Sequence, residues 1–273
     1  MLIGFPIKQD EESMAFSILV CIKAVPDLAS GGALAIAGPW IDETAIAWCM
    51  NHYDAHALEA ALAIRDTVDD ITIDALSAGP GRVRDTIRRA VAMGADTGIH
   101  LAMNAVGRLA PATVARSIAR FAKTKNYDLI LTGTMSEDEM HGITGPMIAA
   151  ALDLPCAAAA VEIALDLPGR SLTATCEMEG GMAEIVRLPC PALVTVQTGR
   201  QIPRYPSLSN TLRSRRQAID RVVPAETANP TPPVETLNVA FPQQTSACQI
   251  IEGSMIEKAD TLLQLFNDNG WLK

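Results

Sequence analysis

Short apolar runs alternate along the N-terminal part of the chain with longer segments whose apolar positions recur every three to four residues. The runs at 17–23 (SILVCIK), 71–76 (ITIDAL), 99–101 (IHL), 129–131 (LIL) and 156–163 predict strands, most of them continuous enough to be buried on both faces. The periodic segments at 55–66, 81–93, 110–123 and 146–152 predict helices. Between 28 and 49 the chain is irregular, carries Trp40 and Trp48, and leaves room for a small hairpin. Strand and helix alternating with short turns specify an α/β fold, a doubly wound and mostly parallel sheet. Right-handed crossovers then bring the loops at 24–28, 51–54, 77–81 and 133–144 to one edge, where open sheets of this type bind ligands.

The pattern changes after residue 163. Residues 172–178 and 182–188 flank Glu179-Gly180-Gly181, which reads as a β-hairpin extension, and 192–197 is a further strand. Residues 199–216 form a proline-broken loop leading into a basic helix, and the stretch from Pro224 to Thr245 is proline-rich and without period. A last helix over 253–269 places Met255, Ile256, Ala259, Leu262, Leu263 and Phe266 on one face. An irregular arm ending in an apolar-faced helix predicts a partner subunit for it to lie on. The expected organisation is a disordered extension over 1–16, an α/β domain over 17–223 and an extended C-terminal arm over 224–273.

Composition narrows the function classes. Aromatics are 4% of a chain that is 49% hydrophobic, so the core is built from Ala, Val, Ile and Leu. A net charge of −9 argues against nucleic acid as a partner, and the one basic cluster, 213–216, has no interleaved aromatics. Six cysteines without a CxxC pair read as reduced thiols of a cytoplasmic protein. His52 and His56 lack a third ligand nearby, so no metal site is expected. No segment has the ~18 apolar residues of a membrane span, and the N-terminus lacks the form of a secretory signal. No nucleophile–base motif such as GxSxG or HExxH occurs, which argues against an enzyme with side-chain chemistry of its own.

The chemistry concentrates in 127–155 (YDLILTGTMSEDEMHGITGPMIAAALDLP). A strand ends at Thr132-Gly133-Thr134, a loop with Gly142 and Gly145 follows, and Thr144 stands where an N-cap would, with Pro146 in the first helical turn. Such a strand–loop–helix can hold a phosphate on free N–H groups, although it is neither a Walker loop nor GxGxxG. An ordinary connection without ligand has the same local pattern. Asn51 and Asp54 are both suitable helix N-caps.

Taken in order, ILVCIKAVPD, NHYDAHALEAAL, SAGPGRVRDTIRRAVAMGAD, YDLILTGTMSEDEMHGITGPM, the EMEGG hairpin and IPRYPSLSNTL resemble the β subunit of electron-transfer flavoproteins from about Ser17 to Lys273. The resemblance implies an adenine nucleotide α hydrolase-like fold in a heterodimer with an α subunit that holds the redox-active FAD. It implies electron transfer from dehydrogenases, of acyl-CoA type, to a quinone reductase or other acceptor. It places an AMP in this chain, contacted at Cys21, at Asn51, His52, Tyr53 and Asp54, at Ala78, and along Gly133, Thr134, Met135, Ser136, Asp138, His141, Gly142, Ile143 and Thr144. Pro203, Tyr205, Leu208 and Leu212 match the segment that docks on a dehydrogenase, with Leu208 as the exposed anchor. His52 replaces the proline of many members, Leu28 stands where some have tyrosine, and Pro146 follows many electron-bifurcating members. The acidic run 137–139 would repel a second phosphate unless it points to solvent, which favours AMP over a second FAD. The alternatives are a bifurcating β subunit with two FAD per heterodimer, and a stand-alone adenine-nucleotide-binding regulator.

Overall fold

The computed structural model describes residues 15–27, 29, 35–37, 40–103, 109–199, 201–224, 236–241, 248 and 250–271. Most of the expected N-terminal extension, Leu28 and much of the expected arm lie outside these residues. The strands β1 (Phe16–Cys21), β2 (Ala24–Pro26), β3 (Ile36–Ala37), β4 (Trp40–Ile41) and β5 (Trp48–Met50) precede helix α1 (His52–Thr67). Then follow β6 (Ile71–Gly79), α2 (Val83–Met93), β7 (Thr97–Ala102), α3 (Pro111–Lys123), β8 (Leu129–Gly133) and α4 (Thr144–Leu152). The chain continues through β9 (Cys156–Asp166), β10 (Ser171–Glu177), β11 (Ala183–Pro189), β12 (Ala192–Val196), α5 (Leu208–Arg216) and β13 (Ile219–Val222).

Among the described residues, nine strands form one sheet in the order β11-β10-β9-β12-β8-β1-β6-β7-β13. Every pairing from β9 to β13 is parallel, and β10 and β11 add the antiparallel hairpin expected from 172–188. The period-2 rule places the core on both faces. Ile18, Val20, Ile73, Ala75, Leu129, Leu131, Val194 and Val196 pack with α1 and α2, whereas Leu19, Cys21, Leu76, Ile130 and Leu193 pack with α3 and α4. Helices on both faces of a mainly parallel sheet are the doubly wound arrangement. Its order reverses between β1 and β8, and the carboxyl ends of those two strands border the crevice.

Several boundaries differ from the sequence reading, each for a local reason. The second strand continues to Gly79, through residues read as loop, because β7 pairs with it as far as Ala102. Helix α1 begins at His52 with Asn51 as its N-cap, so Asp54 lies inside the first turn. Helix α4 has Ile143 as N-cap and Thr144 as its first residue, and Pro146 falls in the first turn as expected. β13 is an addition: its Ile-Asp-Arg-Val sequence lacks an apolar run and pairs only with β7 among the described strands. The irregular 28–49 stretch yields the antiparallel β3–β4 pair, and β5 at its end pairs antiparallel with β2 just before it.

The described residues divide into two units, one ending at Leu237 and one beginning at Asn238. The second contains α6 (Met255–Asp268), started by a capping box in which Ser254 and Glu257 exchange hydrogen bonds. Met255, Ile256, Leu262 and Leu263 on its apolar face are exposed, and Phe266 packs against Trp271 with the two rings tilted by 51°.

Candidate functional site

The sheet register brings the predicted site residues together at the β1–β8 crevice. Cys21 ends β1 opposite Leu76 of β6 and Thr132 of β8, Ala78 lies two residues further along β6, and Gly133 ends β8. Asn51 reaches the same edge because its N–H donates to the Lys23 carbonyl at 3.0 Å. The loop from Thr134 to Ile143 folds over this edge and delivers the start of α4.

Side chains of the first turn of α1 shape that loop. Asp54 is buried, and its two carboxylate oxygens accept from Lys23 N–H at 2.7 Å and Gly133 N–H at 2.9 Å. One carboxylate thus ties together the ends of the two strands that flank the crevice. Burial pushes its pKa up to about 7, against the two backbone donations and the charge of Lys23, which hold it down. Asn51 makes no cap bond to its own helix. Instead its amide donates to Met135 O at 2.9 Å, and its carbonyl accepts from Glu137 N–H at 3.1 Å. The Glu137 carboxylate in turn accepts from His52 N–H at 3.1 Å.

The acidic run is thereby tied back to the protein, while Glu137 and Asp138 stay exposed. Lys23 Nζ donates to Asp138 Oδ1 at 2.7 Å and to Ser136 Oγ at 3.2 Å, and lies 3.4 Å from Glu139. The Asp138 carboxyl is held below its ordinary value: its burial is outweighed by the Lys23 and Ser136 hydrogen bonds and the Lys23 charge. His141 Nδ1 lies 3.7 Å from Glu139. Lys23 and Glu137 join this network without being in the sequence-derived set; Lys23 stands two residues beyond the end of β1, which was the available signal. Cys21 is not a nucleophile here, since burial and then the Asp54 charge raise its thiol.

Two features of this edge bear on what it could hold. A Cβ on Gly133 would lie 2.3 Å from Asp54 Oδ1 and 2.7 Å from Tyr53 Cβ, so only glycine lets strand end and helix start approach this closely. No side chain caps α4, which leaves its first-turn N–H groups to an external acceptor such as a phosphate. Gly142, at φ +64°, turns the backbone just before that helix. Asn51 and Asp54 have their polar atoms occupied within the protein, whereas His52, Gly142 and Ile143 are exposed and Tyr53, Ala78, Thr134, Met135, Ser136 and Thr144 half-buried.

The residues of the expected docking segment gather elsewhere on the first unit. Ile202, Tyr205, Leu208 and Leu212 are exposed, at 89% for Tyr205 and 77% for Leu208. Leu208 is the first residue of α5, which Ser207 caps. Arg204 anchors the segment by its backbone N–H and its guanidinium on Glu59 of α1 (2.8–3.1 Å) and on Asp66 at 2.7 Å. From α2, Arg88 donates to the carbonyls of Ser214 and Arg215, both at 3.0 Å, closing the C-terminal end of α5.

The sequence matches the family described as "Electron transfer flavoprotein domain" over residues 40–241. It is similar to the electron transfer flavoprotein subunit beta of Homo sapiens, with 30% identity over 93% of this chain and 97% of that protein. The corresponding subunit of Methylophilus methylotrophus is 28% identical over 92% of this chain and 98% of its own length. The mitochondrial one of Arabidopsis thaliana is 30% identical over 90% and 95%.

Proposed function

Because this chain belongs to the electron transfer flavoprotein family and its β-subunit branch, we propose that it pairs with a flavin-bearing α subunit and holds an AMP of its own. The observation that supports the nucleotide most directly is the meeting of Cys21, Ala78, Gly133 and the uncapped start of α4 at the reversal of strand order. Backbone groups at Cys21 and Ala78 would pair with the adenine edge, His52 and Tyr53 would flank base or ribose, and Thr144 with its neighbouring N–H groups would take the phosphate. The FAD of the partner, when bound, supplies the redox chemistry; this chain binds, orients and docks. A monophosphate suits the charges present, since Lys23 is already committed to Asp138 and Glu139 and the acidic run adds negative charge beside the seat.

The docking surface in this reading is Pro203, Tyr205, Leu208 and Leu212, offered to an acyl-CoA-type dehydrogenase, with a quinone reductase or similar acceptor downstream. The C-terminal arm and α6 lie on the α subunit. Six free cysteines suit a reducing compartment such as the cytoplasm, and no helix among the described residues is long and apolar enough to cross a membrane. Nucleotide released by heat from the purified heterodimer tests the assignment. The expected yield is about one AMP and one FAD per complex, and two FAD would replace AMP by a second flavin.

A further inference from the structure

The acidic run beside the nucleotide seat has one member, Glu137, that no cation among the described residues neutralises in the way Lys23 neutralises Asp138 and Glu139. Its partner is a backbone N–H, that of His52 at the start of α1, where the helix dipole favours a carboxylate. Asn51, the N-cap of α1, donates to Met135 O and accepts from Glu137 N–H. Helix start and loop therefore cap one another. A local version of the same exchange occurs at α6, where Ser254 and Glu257 are three residues apart; here the two halves are 86 residues apart. Asn51 is only 1% exposed, so its half of the exchange lies in the interior, whereas the Glu137–His52 half is at the surface.

We propose that Glu137 is a positioning residue for the nucleotide: through this reciprocal cap with Asn51 and His52 it holds the 133–139 loop in the shape that presents α4 to the phosphate of AMP. The proposal rests on the adenylate reading above. It assigns Glu137 a sign opposite to simple repulsion. A carboxylate that only repelled phosphate would, once removed, leave AMP bound more tightly. A carboxylate that shapes the loop leaves it bound more weakly, and only when the acceptor atom is lost.

Glu137→Ala and Glu137→Gln, each in the complex with the α subunit, separate the two. AMP binding is measured by calorimetry after stripping and re-addition, and amide hydrogen exchange at His52 and Glu137 is measured without AMP. The expected result is a loss of about tenfold in AMP affinity for Glu137→Ala, the effect of removing one charge-assisted hydrogen bond. Glu137→Gln keeps an oxygen that accepts from His52 N–H and stays within about threefold of wild type. Exchange at both amides accelerates in the alanine variant and not in the glutamine variant. Tighter AMP binding in both variants, or unchanged exchange and affinity in Glu137→Ala, would overturn the proposal. If the wild-type complex takes up no AMP, the adenylate reading fails and the positioning role with it. In that case accelerated exchange confined to the alanine variant still identifies the cap as a structural element.

Discussion

Asp54 joins two strand ends through one buried carboxylate, and its titration has a definite sign. Its folded pKa of about 7 lies above the ordinary carboxyl value of 3.8, so the folded chain holds the proton more tightly than the unfolded one. The stability contributed by this group is complete below about pH 4 and is lost as the pH rises through about 7, up to roughly 4 kcal/mol. Asp54→Asn cannot titrate. The gap in thermal midpoint between wild type and this variant should therefore be wider at pH 5 than at pH 8; a gap independent of pH would show that Asp54 is ionised throughout. The variant should also hold the Gly133 end of β8 less firmly, because the amide offers one acceptor oxygen where the carboxylate offers two. Gly133 leads to a steric prediction at the same spot. An alanine methyl there would lie 2.3 Å from Asp54 Oδ1, so Gly133→Ala should destabilise by about 1–3 kcal/mol, read from urea midpoints, and should lower the AMP content of the purified complex.

Secondary-structure elements carry the information that the sequence displayed most clearly and also what it concealed. Alternating faces could be read directly from runs such as 18–20 and 129–131, because a strand buried on both sides must be apolar at every position. β13 could not be read, since an edge strand with Asp220 and Arg221 exposed has the polarity of a loop. Convergence of the four loops followed from topology alone and holds at the β1–β8 edge. The division of labour within 51–54 did not follow. Asn51 and Asp54 both look like caps locally, and their actual partners, at Met135, Glu137, Lys23 and Gly133, are 31 to 86 residues away in sequence. Helix α1 also anchors the second surface through Glu59, which is buried and grips Arg204. Replacing Glu59 by Ala leaves that guanidinium with only the exposed Asp66, and should destabilise by about 2 kcal/mol, between the values typical of exposed and buried pairs. Faster amide exchange across 201–212 would accompany it. Unchanged exchange there would mean that Arg88, acting on α5 from α2, suffices to hold the segment.

At the scale of the whole molecule, the proposed nucleotide seat and the proposed docking surface are separate regions that both touch α1, through Asp54 and Glu59, and they call for separate measurements. Leu208 and Tyr205 project from a segment whose backbone is fixed by Arg204 at one end and Arg88 at the other. A surface that is both apolar and held in place loses little freedom on binding, which is the condition for a hot spot. Leu208→Ala should therefore reduce kcat/KM for electron transfer from an acyl-CoA-type dehydrogenase by about tenfold, equivalent to about 1.4 kcal/mol, mainly through KM. The AMP and FAD contents of the complex should stay at wild-type values, as should the rate at which a small chemical reductant bleaches the flavin, because neither depends on docking. A fall in nucleotide content together with transfer would instead place Leu208 in the folding of the subunit. Unchanged transfer would move the dehydrogenase to another face.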